Sequence, residues 1–223
     1  MIKWILAIKF KADRSRQACC HDWIERHGPL ALAVPGLQHY VQSHRVLGEE
    51  DIGNAPYDGF ESLWFENERV ARQALASPQM AALEADADHF ADPAGTKRLL
   101  AREVVMRDVP VQEGALKLVT CNYRKPSLSP RMFQDYWENE HGPLVLRNFA
   151  ALRRYVQNHA LISCYESGAE PDFDGVLEAW LASFDALRAG EGDPAHQAVR
   201  ADEANFLDPT RFRFILVRDK VFR

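Results

Sequence analysis

Trp137-Glu138-Asn139-Glu140-His141-Gly142-Pro143-Leu144 is a stretch that the chain writes twice. Trp23-Ile24-Glu25-Arg26-His27-Gly28-Pro29-Leu30 repeats its spacing, Trp-x-x-x-His-Gly-Pro-Leu, and the correspondence continues downstream. Tyr40-Val41-Gln42-Ser43-His44 returns as Tyr155-Val156-Gln157-Asn158-His159. Asp58-Gly59 before Trp64 returns as Asp174-Gly175 before Trp180, and Asp86-x-x-x-Phe90-x-Asp92-Pro93 returns as Asp202-x-x-x-Phe206-x-Asp208-Pro209. His141 lies 114 residues after His27, His159 lies 115 after His44, and Trp180 and Phe206 each lie 116 after their counterparts. The register slips one residue at a time, in segments that read as loops. A period of this length is that of a whole small domain rather than of a solenoid repeat, so the chain is a tandem duplication.

Composition sets the outer bounds. With 223 residues, 47% of them hydrophobic, the chain has enough apolar material for two domains of about 110 residues each. The 27 basic and 32 acidic residues are interspersed and leave a net charge of -5, with no basic stripe of the kind that binds nucleic acid. The opening run Lys3-Trp4-Ile5-Leu6-Ala7-Ile8-Lys9-Phe10 is too short and too interrupted by lysine for a signal peptide or a membrane span. The four cysteines include the neighbours Cys19 and Cys20 but no Cys-x-x-Cys spacing. They read as the reduced thiols of a cytoplasmic protein, not as a disulfide framework or zinc site.

In chain order, Lys3 to Lys11 reads as a first strand, and Ser15 is placed to cap a helix carrying Trp23 and Arg26. That helix is expected to stop at His27-Gly28-Pro29, because proline cannot continue the hydrogen-bond ladder. Gly36 to Val46 and Tyr57 to Phe65 read as strands, Glu66 to Ala76 and about Gln79 to Phe90 as helices, and Lys97 to Asp108 as the closing strand. The second copy predicts strands at 115–124, 150–162, 173–182 and 211–222, and helices at 130–141, near 183–189 and at 194–206. Each copy is thus β-α-β-β-α-β, a split βαβ or ferredoxin-like unit. The predicted domains are residues 1–109 and 115–223, joined by a linker at 110–114. One bare sheet face per copy needs cover. The fold class expected is therefore α+β: two tandem ferredoxin-like repeats whose sheets pack together as an intramolecular α+β barrel.

Chemistry-bearing side chains recur at matched places. Trp23 and His27 share a helical face, as do Trp137 and His141. Strand alternation puts Tyr40, Gln42 and His44 on one face, and Tyr155, Gln157 and His159 likewise. Each copy then offers two histidines, a tyrosine, a glutamine and a tryptophan, which suits proton transfer on a small, flat, phenolic or carbonyl-bearing molecule. A histidine before Gly-Pro also serves structure by tying down loop carbonyls, and the tryptophans read first as core. Asp58-Gly59 and Asp174-Gly175 read as tight turns entering strands. No His-x-His or His-x-x-x-His spacing is present and no carboxylate is seen to recur beside both histidines, so a metal is not expected. Gly-x-Ser-x-Gly, Gly-x-Gly-x-x-Gly and Walker-type loops are missing, and no cofactor is called for. The copies differ in polar positions: His39 faces Arg154, Asp22 faces Tyr136, Ser62 faces Glu178 and His89 faces Asn205. One competent pocket and one altered pocket are expected.

On Tyr136-Trp137-x-x-x-His141-Gly142-Pro143-Leu144, Tyr155-Val156-x-x-His159, Phe173-Asp174-Gly175-Val176-x-Glu178-x-Trp180 and Asp202-x-x-x-Phe206-x-Asp208, each copy resembles an EthD domain of the dimeric α+β barrel superfamily. The resemblance spans the chain twice; Ser62, standing where Glu178 stands, is a departure from it in the first copy. It implies a fold that pairs as a dimer, here fused into one chain as a pseudo-dimer that could pair again as a homodimer. It also implies a ligand pocket between sheet and helices. Similar proteins include muconolactone isomerases, polyketide cyclases, cofactor-free monooxygenases and accessory proteins of degradation pathways. The expected function is a cofactor-independent isomerase or lyase/dehydratase. Its substrate would be a small aromatic, lactone or polyketide-like compound. His27, His44, His141, His159, Tyr40 and Tyr155 are the expected catalytic groups, and Trp23, Trp137, Gln42, Gln157 and Glu178 the expected substrate contacts. A cofactor-free monooxygenase and a non-catalytic binding protein are the alternatives.

Overall fold

The computed structural model describes residues 1–166, 168–189 and 193–222. Its elements follow the order read from the sequence. The first repeat contains β1 (Ile2–Ile8), α1 (Arg16–Asp22), α2 (Gly28–Ala31), β2 (Leu37–Arg45), β3 (Gly59–Phe65), α3 (Glu68–Leu75), α4 (Pro78–Ala87) and β4 (Lys97–Asp108). The second contains β5 (Leu116–Asn122), α5 (Pro130–Tyr136), α6 (Gly142–Asn148), β6 (Leu152–Ala160), β7 (Gly175–Leu181), α7 (Phe184–Ala189), α8 (Pro194–Glu203) and β8 (Arg213–Phe222). Ser15 caps α1 by accepting from the Ala18 N–H, and Ser129 caps α5 by accepting from Met132 N–H ahead of Pro130.

The helix does not stop at His-Gly-Pro in either copy. It passes through one π turn, Trp23–His27 or Trp137–His141, and continues as α2 or α6. The Gly28 N–H donates to the Trp23 carbonyl five residues back, and the Gly142 N–H donates to Trp137 in the same way. This wider turn delivers the chain to Pro29 and Pro143 at the start of a fresh α-helical segment, where a missing N–H costs no bond. Glycine-proline therefore marks a change of helical register here rather than an end.

Two compact units are present. One comprises residues 1–45, 56–102 and 219–223, the other 46–55 and 103–218. Strand order in the first is β4-β1-β3-β2, with the end of β8 beside β2. In the second it is β8-β5-β7-β6, with residues 103–108 of β4 beside β6. The long last strand of each repeat thus pairs first within its own copy and contributes its end to the other unit. Within each unit the neighbouring strands are antiparallel, in the order of a ferredoxin-like sheet. All four cysteines are free thiols. Among the described residues no helix is long and apolar enough to cross a membrane.

The Asp-Gly pairs do more than turn the chain. Asp58 accepts from the Phe10 N–H and pairs with Lys9 and Arg16, while Asp174 accepts from the Arg124 N–H and from the Tyr165 hydroxyl. Gly59 and Gly175 let the indoles of Trp23 and Trp137 lie against the strand: a Cβ at Gly175 would come within 2.4 Å of the Trp137 ring, and one at Gly59 within 2.3 Å of the Ser43 carbonyl. Exchanging glycine for alanine in a strand ordinarily stabilises by about 0.5–1 kcal/mol. Here Gly59→Ala and Gly175→Ala are each expected to destabilise instead, by about 1–3 kcal/mol from overpacking, which urea denaturation measures directly.

Candidate functional site

The two repeats hold the same frame of side chains around different interiors. From the second strand, Gln42 donates through Nε2 to the Trp23 carbonyl at 2.7 Å, and Gln157 does so to the Trp137 carbonyl at 2.9 Å. The same glutamines contact the neighbouring histidine through Oε1, at 3.1 Å for His44 Nε2 and 2.9 Å for His159 Nε2. Those histidines lie across the tryptophans, with ring centroids 4.4 and 4.7 Å apart. His159 is fully buried, and burial pushes the half-buried His44 down to about 4, with Lys220 and Arg16 adding to the fall. Gln42, Gln157, His44 and His159 therefore brace the π turn from behind.

The histidine that ends each π turn meets a carboxylate from the last helical segment. His27 Nδ1 lies 3.3 Å from Asp86, and His141 Nδ1 lies 2.8 Å from Asp202. A carboxylate does recur beside both histidines, at positions too remote in sequence for adjacency to reveal. Its signal was the fixed 116-residue recurrence of Asp86 and Asp202 ahead of Phe90 and Phe206. The second carboxylate oxygen is engaged differently in the two copies. Arg26 donates to Asp86 at 2.8 Å, whereas the Tyr136 hydroxyl donates to Asp202 at 2.7 Å, supported by Asn205.

The interiors diverge at one pair of facing strand positions. In the first repeat Leu6 of β1 faces Glu61 of β3. In the second Thr120 of β5 faces Leu177 of β7. Glu61 is 2% exposed. Its Oε2 accepts from Trp23 Nε1 and from the Tyr40 hydroxyl, both at 3.0 Å, and lies 3.2 Å from His27 Nε2. Burial pulls His27 down, but the charges and hydrogen bonds of Glu61 and Asp86 outweigh it and raise His27 above its ordinary value. Burial likewise pushes Glu61 up, and His27, Trp23 and Tyr40 together bring it below the usual carboxylate range. The result is a closed ionic cluster beside a cavity of only about 50 Å³.

With Leu177 in that place the second repeat opens. Its cavity of about 430 Å³ falls in the range of small-molecule sites. Trp137, His141, Tyr155, Thr120, Asn122, Phe206 and Glu203 line it, together with leucines, valine and phenylalanines. The Tyr155 hydroxyl is buried with no well-formed hydrogen bond, and burial pushes it up to about 12, against smaller opposing effects of Gln157 and Trp137. Burial lowers His141 below its ordinary value despite Asp202. The ring is thus neutral near pH 7, with Nδ1 committed to Asp202 and Nε2 available as an acceptor. Burial raises the Glu203 carboxyl, with Arg200 opposing at 3.1 Å.

Glu178 stands elsewhere. As the next residue after Leu177 it points to the other face of β7, where it accepts from Lys117 Nζ at 2.9 Å and from Asn158 Nδ2 at 3.0 Å. Of the residues singled out from sequence, His141, Tyr155 and Trp137 line the open cavity, while His27 lines the small one among a network that includes Tyr40, Trp23 and Gln42. Among the described residues no group of three or more His, Cys, Asp or Glu side chains is placed to hold a metal ion.

Repeated ferredoxin-like units, the second with an open cavity between sheet and helices, define a tandem α+β protein. The EthD domain family matches residues 11–94 and again residues 125–210, and the chain belongs to that family as a tandem pair. No curated protein matches the sequence. Among solved structures the fold is similar to an anthrone oxidase-like protein, with a TM-score of 0.66 at 11% identity over 99% of this chain and 92% of that one. A candidate monooxygenase from Fusobacterium nucleatum gives 0.60 at 8% identity over 99% and 93%. A variant chlorite dismutase from Candidatus Nitrospira defluvii gives 0.54 at 10% over 97% and 91%. At these identities the likeness is one of fold.

Opposite histidine shifts make a direct check. In a ¹H–¹⁵N titration His27 is expected to change charge above ~6.5 and His141 below it; the reverse order would contradict the two environments described. For His27 the raised value means stabilisation present below its unfolded value and lost as pH rises through the folded one. For Glu61 the lowered value means stabilisation lost as pH falls through the folded one. Replacing Glu61 by leucine, as in the second repeat, strands the Trp23, Tyr40 and His27 donors and is expected to cost about 3 kcal/mol at neutral pH. A denaturation midpoint unchanged from wild type would show that the cluster holds nothing together.

Proposed function

We propose that the cavity of the second repeat is the active site of an enzyme that moves a proton on a small, flat, apolar compound bearing a carbonyl or phenol. The observation that carries this reading is the exchange of Glu61 for Leu177, which empties one pocket while its His-Asp pair is kept. His141 Nε2 serves as the general base toward an acidic C–H, with Asp202 fixing the ring and sharing the charge it acquires. The Tyr155 hydroxyl, left without a protein acceptor, donates to the substrate oxygen on which the enolate or phenolate charge develops. Return of the proton at a second carbon gives an isomer, and loss of a leaving group gives a lyase or dehydratase reaction. Apolar walls suit an aromatic, lactone or polyketide-like skeleton. Trp137 forms one wall, and the first repeat acts as scaffold.

A second reading shares the same deprotonation but lets the carbanion react with oxygen. It draws on the fold neighbours, one described as anthrone oxidase-like and another as a candidate monooxygenase. Anthrone, whose C–H is acidic, separates the readings. In D₂O under nitrogen the enzyme is expected to accelerate deuterium incorporation, and in air an electrode reports whether oxygen is consumed in step with turnover. His141→Gln is expected to lower the exchange rate ~10²–10⁴-fold. The acid limb of the wild-type profile should lie below the ordinary histidine value, because the base must be neutral. Leu177→Glu, which copies the first repeat, should close the cavity and abolish binding. Equal losses from His27→Gln and His141→Gln would sink the one-pocket reading. Unchanged ligand affinity without turnover in wild type and His141→Gln alike would make the protein a binding module.

A further inference from the structure

The floor of the open cavity carries a second polar position far from Tyr155. Thr120 and Asn122 alternate on β5, and both line the cavity although each is only 3% exposed. The Thr120 hydroxyl donates to Asn122 Oδ1 at 2.8 Å. That bond orients the amide and leaves Nδ2, a two-proton donor, with no protein acceptor among the hydrogen bonds of the described residues. A polar donor on an otherwise apolar cavity wall costs free energy unless something in the cavity accepts from it, and an apolar residue fits this strand equally well: Leu6 and Ile8 occupy the matching places in β1 and line the small cavity. Polarity has thus changed strands between repeats, from Glu61 on β3 to Thr120 and Asn122 on β5.

Register fixes how far this position lies from the proposed acid. Asn122 pairs with Gly175 and Tyr155 with Ala179, on strands that flank β7 from opposite sides. Four residues along a strand and two strand spacings across put the two Cα atoms ~16 Å apart along the diagonal of the sheet face. Between them the floor is Leu118, Leu177 and Ala179, all apolar.

Resting on the active-site reading above, we infer that Asn122, oriented by Thr120, is an oxygen-binding subsite. It selects substrates with a hydrogen-bond acceptor at each end of an elongated, flat apolar skeleton. One oxygen meets Tyr155 at the reacting end. The other accepts from Asn122 Nδ2 at the distal end, and no bond is made or broken there.

Paired probes test this. The affinities of 2,6-dihydroxyanthraquinone, with an oxygen at both ends, and 2-hydroxyanthraquinone, with one, are measured by fluorescence quenching for the wild type and three variants. Asn122→Ile, which copies Ile8, is expected to weaken the two-ended probe about tenfold, the worth of one hydrogen bond to a buried donor, and to leave the one-ended probe unchanged. Asn122→Asp, near in shape but without the N–H donors, should give the same selective loss, and circular dichroism confirms that both fold. Thr120→Val, which frees the amide to rotate, should give a smaller loss of the same kind. Equal loss for both probes, no loss for either, or failure of both probes to bind the wild type would each overturn the inference. His141→Gln is run beside these: a selective Asn122 effect with unimpaired His141→Gln turnover would remove the catalytic reading and leave the subsite standing.

Discussion

A glutamine amide reaching from the second strand to a tryptophan carbonyl is the contact on which the rest of each repeat depends. That carbonyl already accepts the long π-turn hydrogen bond from glycine, and Gln42 or Gln157 supplies a second donor. Strand and helix are thereby joined where the helix changes register. The indole is pressed against a glycine of the third strand, and the histidine one turn on is aimed at the pocket. A buried carbonyl accepting two hydrogen bonds has few alternatives, so satisfied backbone chemistry places the histidine's backbone and the aspartate opposite Nδ1 orients its ring. This accounts for the near identity of the frame in two copies whose interiors have diverged.

What differs is where the acceptor sits. In the first repeat one carboxylate accepts from an indole and a phenol, lies beside an imidazole and leaves little room for a ligand. In the second the carboxylate is gone, the phenol keeps its proton without a protein acceptor, and the imidazole is tuned toward its neutral form. Desolvation acts on both histidines alike. The sign of the net shift follows from whether an anion stands opposite Nε2, so two sites built from the same residues shift their histidines in opposite directions.

Duplication and element order were legible because local rules govern them: period-two strands, serine caps and turn residues act over a few positions, and copying them twice removes ambiguity. The π turn was not, since Gly-Pro obeys the usual end rule unless tertiary contacts supply a wider bond. Nor was the decisive polar difference. Attention to Ser62 against Glu178 picked the strand face turned away from the cavity, one residue off the Glu61 and Leu177 pair that governs it. A single-residue shift reverses facing in a strand, and only the observed register separates the two choices. The partnership of His141 with Asp202 spans some sixty residues, beyond local spacing rules, and only the recurrence of Asp86 as Asp202 hinted at it.

Fusion explains how the two interiors could part. In a symmetric dimer of single repeats every substitution appears twice, so an emptied pocket with a buried phenol lacking a well-formed hydrogen bond would burden both halves. A phenol or amide left without partner in a buried site costs a few kcal/mol by itself, a large share of the ~5–15 kcal/mol that keeps a domain folded. In one continuous chain the burden falls on one repeat only. The other keeps the same frame around a buried carboxylate that accepts from Trp23 and Tyr40 beside His27. Read this way, the closed first pocket is not a decayed copy of the open one. It keeps the same frame with the indole and phenol donors turned inward onto one carboxylate.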